Sequence, residues 1–164
     1  MVVHQERDQR APVGARVSDP AVKAALEAQG VECIACDLLD RQAMERLPNA
    51  ADGVRNCVFM AGHKFGATGN PALTWMMNVG VPMMVADIYR DTRIVSFSTA
   101  CVYPFVPVNG PGAAEDTPPA PPGGDYANSC VGRERMFEYG SHEYGTPARM
   151  VRLSYAIDMR SGVL

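Results

Sequence analysis

Short apolar runs alternate along this chain with longer segments whose apolar residues recur at helical spacing, and proline or glycine stands where one kind gives way to the other. Asp19-Pro20 to Gln29 has proline at its first helical position and Gly30 beyond its end, which predicts a short helix. Val31 to Cys36 is β-branched and apolar and predicts a strand, with Asp37 directly after it. Arg41 to Leu47 suits a short helix stopped before Pro48, and Val54 to Met60 a second buried strand. Asn70-Pro71 is a cap and first-turn pair opening a long helix to about Arg90, disturbed at Pro82. Arg93 to Ser98 predicts a third strand. The stretch from Pro104 to Asp125 holds more than half of the chain's 13 prolines and predicts no regular structure. Tyr126 to Tyr139 then predicts a helix and Ala148 to Ile157 a last strand.

Strands alternating with helices predict an α/β fold, a doubly wound parallel sheet with flanking helices. In such a sheet ligands sit beyond the carboxyl ends of the strands. The chemically notable residues fall there: Asp37 after one strand, Ala61-Gly62 after the next, Thr99 after the third, and Tyr155-Ala156 near the end of the last.

Composition narrows the function classes. The 164 residues, 47% apolar, suffice for one domain with its own core. A net charge of −3 with no concentration of lysine and arginine argues against a nucleic-acid partner. No run approaches the roughly 18 apolar residues of a membrane span, and Met1 to Arg10 does not read as a signal peptide, so a cytoplasmic protein without a membrane partner is expected. The five cysteines are odd in number and scattered, which reads as reduced thiols. Cys33 and Cys36 form a C-x-x-C, but on a strand that spacing points the two side chains to opposite faces, against a metal site. The methionine cluster at Met76, Met77, Met83 and Met84 reads as core filler. Arg133, Glu134 and Arg135 read as a charged helix face.

One constellation carries chemistry. Ser98-Thr99-Ala100-Cys101-Val102-Tyr103 is followed, 27 residues after Thr99, by Tyr126 at the start of a helix, with Ser129 and Glu134 three and eight residues beyond. Glu115 to Pro118 and Pro121 lead in to that tyrosine. Together with Asp37-Leu38, Phe59-Met60-Ala61-Gly62 and Asn78-Val79, in this order over nearly the whole chain, the constellation resembles the extended short-chain dehydrogenase/reductases, specifically the NAD-dependent epimerase/dehydratase group. The resemblance implies a Rossmann-type domain and NAD or NADP as cofactor. It implies hydride transfer on a nucleotide sugar, and a homodimer formed through the helices. By the same resemblance Tyr126 is the acid/base and Thr99 orients the substrate hydroxyl. Asp37, Leu38, Ala61 and Gly62, with Tyr126, line the cofactor.

Three departures qualify the expectation. No G-x-G-x-x-G occurs in the chain, and Met1-Val2-Val3 looks like the second strand of the family fold, so the first strand and the phosphate-binding helix are expected to be missing, leaving a gap in the strand order. The chain stops at Leu164, where the family continues into a C-terminal substrate domain; residues 1–164 are therefore expected to form a single incomplete NAD(P)-binding Rossmann-like domain. Cys130 stands at the lysine position, four residues after Tyr126. A tyrosine of pKa about 10 is ionised to roughly one part in a thousand at pH 7, and cysteine supplies no cation to change that. Arg133, on about the same helix face, and His63-Lys64, after the small-residue turn, are candidate sources of charge. The choice between NAD and NADP is assigned to Glu6 to Arg10. The expected function is thus an epimerase/dehydratase-like protein with impaired chemistry, the alternative being a non-catalytic dinucleotide-binding or dimerising remnant of that family.

Overall fold

The computed structural model describes residues 20–64 and 69–154, and the backbone of the short strands at 2–5, 12–14, 157–158 and 162–163. The elements are β1 (Val2–Gln5), β2 (Pro12–Gly14), α1 (Pro20–Ala28), β3 (Glu32–Ile34), α2 (Arg41–Glu45), β4 (Val54–Phe59), α3 (Pro71–Trp75), α4 (Val81–Ile88), β5 (Arg93–Thr99), α5 (Asp125–Tyr144), β6 (Ala148–Leu153), β7 (Ile157–Asp158) and β8 (Gly162–Val163). Six strands form one sheet in the order β3-β2-β1-β4-β5-β6, while β7 and β8 pair separately. β4, β5 and β6 are parallel neighbours, as are β2 and β3. This is the predicted α/β architecture of Rossmann type.

The strand order has no gap. Val2–Gln5 lies in the middle of the sheet rather than one place out, and it runs antiparallel to both β2 and β4. Both ladder geometries satisfy the backbone donors and acceptors of a neighbouring strand, so β4's edge is paired either way, here with an irregularity between His4 and Gln5. Direction matters for the site. The chain leaves β1 beside Val54, at the start of β4, whereas β2, parallel to β4, ends on the side where β4 and β5 finish.

The predicted Asn70–Arg90 helix is one run with a widened π-type turn, Met76–Gly80, between α3 and α4. Pro82 explains the position: it has no N–H to donate to the carbonyl of residue 78, and the wider turn takes up the missing bond. The Asn70 side chain accepts from Leu73 N–H, capping α3 as expected. Of the methionines, Met84 is buried and Met77 packs on the core, but Met76 and Met83 are exposed. α5 runs five residues past the predicted end and stops at Gly145, whose positive φ of 70° is the left-handed cap that favours glycine. No helix among the described residues is long and apolar enough to cross a membrane.

The core lies between the sheet and the pair formed by the α3–α4 run and α5. Phe137 of α5 meets Phe59 of β4 edge to face, centroids 5.4 Å apart, with both rings fully buried. Thus Phe137→Ala should destabilise the fold by about 3–5 kcal/mol, read as a lowered urea midpoint with an unchanged slope.

Candidate active site

β5 extends three residues beyond its last pairing with β4, at Ser96, so Thr99 stands past the end of Phe59 and above the turn Ala61-Gly62-His63-Lys64. The side chain of Thr99 accepts from Cys101 N–H at 3.2 Å and starts a short helical turn, Ala100–Val102. Tyr126 sits in the first turn of α5, with the Thr99 hydroxyl and the Cys130 thiol close to its own hydroxyl. The three predicted catalytic positions therefore lie together. Beside it opens a pocket of ≈ 400 Å³ lined by Cys101, Tyr103, Phe105, Pro122 and Tyr126 among others.

Two buried networks hold this group. Asn78, in the π-type turn, uses all four hydrogen-bonding positions of its amide. Its Oδ1 accepts from His63 N–H at 2.8 Å and from Arg133 Nη2 at 2.8 Å, and its Nδ2 donates to His63 O at 3.1 Å and to Ser129 Oγ at 2.9 Å. Ser129 in turn donates to the Tyr126 carbonyl at 2.9 Å. The second network centres on Glu134, 5% exposed, which accepts from Ser98 Oγ at 2.6 Å and from Arg152 Nη2 at 2.8 Å. Arg152 also donates to Tyr103 OH at 3.1 Å and lies over its ring, which fixes one wall of the pocket.

Arg133 and Glu134 are thus not a solvated face. They follow Ala127 and Cys130 and precede Phe137 on the inward stripe of α5, and only Arg135 of the trio is exposed, paired with Glu138. Arg133 donates from Nη1 to Phe97 O at 2.7 Å, its guanidinium faces the Phe59 ring, and its Nε is buried without a partner. A Cβ on Gly62 would collide with Arg133 Nη2 and reach 3.2 Å from Asn78 Oδ1, so the space freed by this glycine is filled from inside the protein. Sequence reasoning missed this arrangement; the inward spacing of residues 130, 133 and 137 was the signal that could have found it.

The remaining predicted positions are distributed as follows. Ala61 packs against the core. Leu38 is buried at 6% exposure in the core, and Asp37 caps its own turn by accepting Leu39 N–H at 3.0 Å. His63 is tied inward, its Nδ1 3.0 Å from Thr74 Oγ1, whereas Lys64 lies over the Tyr126 ring, 5.7 Å from the centroid. Trp75 is half-exposed and donates to Asp125 at 2.7 Å, tying α3 to the start of α5. Tyr155-Ala156 and Glu6 to Arg10 lie outside the described residues.

The electrostatics keep the group protonated at neutral pH. Burial pushes the Tyr126 hydroxyl above its ordinary range and Cys130 adds to this, against the Thr99 hydrogen bond and the Arg133 charge. Burial also pushes the Cys130 thiol up, opposed by Arg133 and by the bond to Tyr126. A protonated phenol beside a threonine hydroxyl at a pocket edge can donate a proton to a substrate oxygen; as a base it is poor.

A Rossmann-type sheet with a threonine–tyrosine pair at its carboxyl end defines an α/β domain of the short-chain dehydrogenase kind. The profile of the NAD dependent epimerase/dehydratase family matches residues 3–157, and the chain belongs to that family, whose cofactor is NAD or NADP. No curated protein sequence matches the chain. Among solved structures, RMD from Pseudomonas aeruginosa complexed with NADPH has a TM-score of 0.70 at 19% identity, covering 91% of this chain and 55% of that one. DesIV, a dTDP-glucose 4,6-dehydratase from Streptomyces venezuelae with NAD and TYD bound, has a TM-score of 0.70 at 21% identity, covering 82% and 42%. UDP-glucuronic acid 4-epimerase from Bacillus cereus in complex with NAD has a TM-score of 0.63 at 16% identity, covering 84% and 44%. The chain thus spans about half the length of these proteins.

For the family's dinucleotide, Tyr126 faces the pocket beyond the carboxyl end of β5. At the turn after β4 the space beside Gly62 is filled from within by Arg133, and the exit from β2, the strand parallel to β4 that ends on that side, lies outside the described residues.

Accessibility separates the two thiols near Tyr126. Cys101 is exposed at the pocket and Cys130 is fully buried with a raised pKa. Iodoacetamide at pH 7.5 should modify Cys101 well before Cys130, and mass mapping of the labelled peptides would show the order.

Proposed function

We propose that this chain is the nucleotide-binding part of an enzyme acting on a nucleotide sugar. Tyr126 is its acid/base and Thr99 orients the substrate hydroxyl. The observation that carries the reading is the juxtaposition of Thr99 and Tyr126 beside the pocket, held by two buried networks. When bound, NAD or NADP supplies the hydride acceptor and donor. This chain's own contribution is narrower: Tyr126 holds the proton for a substrate oxygen, and Thr99 fixes that oxygen by a second hydrogen bond.

Asp37, Leu38, Ala61 and Gly62 are proposed for the adenosine and pyrophosphate side. Asp37 has the better support, since Leu38 lies in the core, Ala61 packs against it, and the space beside Gly62 is taken by Arg133. The α3–α4 run and α5 leave Trp75, Met76, Met83 and Tyr139 exposed by 41–54%, which supports a second copy of the chain as partner.

The alternative, a non-catalytic dinucleotide-binding or dimerising domain, is favoured by one observation: the residue beside Tyr126 is a buried neutral thiol and not a cation.

The test is turnover of a panel of UDP- and dTDP-hexoses with NAD and with NADP, together with dinucleotide binding by fluorescence of the reduced form. Turnover by the wild type that falls about 100- to 10,000-fold in Tyr126→Phe supports the enzyme. Binding without turnover supports the alternative, and absence of both sinks the two readings together.

A further inference from the structure

Position 130 is fully buried and carries no charge, yet the site has a cation within the same packing layer. Arg133 lies one turn beyond Cys130 and two turns beyond Tyr126 on the inward stripe of α5. It is held at 6% exposure by the carbonyl of Phe97 and the amide of Asn78, and its guanidinium occupies the room left by Gly62. These partners are neutral, so the charge is hydrogen-bonded but not cancelled by them. We propose that Arg133 is the positioning cation of the Tyr126 site, and that its closure on Gly62 and Asn78 excludes a second cation at residue 130.

The physical argument has two parts. A fixed positive charge favours the ionised form of a neighbouring phenol, whatever residue supplies it. Two cations one helical turn apart in a layer that excludes water repel each other strongly, because the effective dielectric there is far below that of water. Cysteine at 130 is thus the small neutral residue that tolerates Arg133. The groups around Tyr126 are Lys64 over its ring from the turn after β4, Thr99 at the end of β5, Cys101 across the pocket from the turn that follows, and Cys130 and Arg133 from its own helix, with Glu134 acting on Cys130. Glu134 is occupied by Arg152 and Ser98, and Asp125 by Trp75. Burial lowers the pKa of Arg133 while Cys130, Tyr126 and Glu134 raise it; an arginine so placed stays charged at neutral pH.

The inference rests on the reading of Tyr126 as the acid/base, but its test needs no turnover. The whole chain, with tyrosine Cζ labelled by carbon-13, is titrated by NMR, and Tyr126→Phe identifies the resonance. Arg133→Met should raise the Tyr126 midpoint by about one pH unit, a tenfold loss of tyrosinate at a given pH, and Arg133→Lys should keep it near the wild-type value. Cys130→Lys should melt about 4 °C or more below the wild type, and adding Arg133→Met should restore melting. Should Arg133→Met alone fail to fold, the Cys130→Lys/Arg133→Met variant is expected to fold with a midpoint at or below that of the wild type. An unmoved midpoint in Arg133→Met, or a double variant that also fails to fold, overturns the proposal. Unmoved titration in a chain that turns over substrate would sink this inference alone; a moved midpoint without turnover would sink only the enzyme reading.

Discussion

The side-chain amide of Asn78 is the joint on which the site depends. It is fully buried, and its four hydrogen bonds reach the backbone of His63 twice, the hydroxyl of Ser129 and the guanidinium of Arg133. The four bonds end on three separate parts of the fold: the turn after β4, the first turn of α5, and the arginine that reaches β5. A buried polar group left without partners costs about 1–3 kcal/mol, so the amide penalises any arrangement in which one of these elements shifts. The π-type turn is what brings Asn78 inward, and Pro82 is what places that turn.

Glu134 performs the equivalent task on the other side of α5. Its carboxylate joins α5 to β5 through Ser98 and to β6 through Arg152. Arg152 then extends the connection to Tyr103 and to the carbonyl of Glu115 in the proline-rich segment. Breaking such a pair by removing one partner is costly because it strands a buried charge. The pocket edge is therefore fixed by polar contacts, while the Phe59–Phe137 packing beneath supplies the apolar burial.

Much of this was legible from the chain alone. The Asn70 cap, the strand from Arg93 and the irregular proline-rich segment depend on local chemistry, and the structure has them where local chemistry puts them. The direction of β1 was not legible, because the apolar pattern of a strand reads the same from either end. The burial of Arg133 was not legible either. A guanidinium on an inward stripe contradicts composition, and it becomes acceptable only through partners contributed by residues 55 and 36 positions away, Asn78 and Phe97. Nor was it legible that Leu38, placed by the resemblance beside the cofactor, has its side chain buried in the core.

The contact between Gly62 and Arg133 couples two positions 71 residues apart in the chain. A Cβ at 62 would press on Arg133 Nη2 and crowd Asn78 Oδ1, so alanine there would make the guanidinium shift from its place against Asn78. The tolerance of residue 62 is thus set by which residue stands at 133: a shorter side chain there would leave the room beside the glycine open.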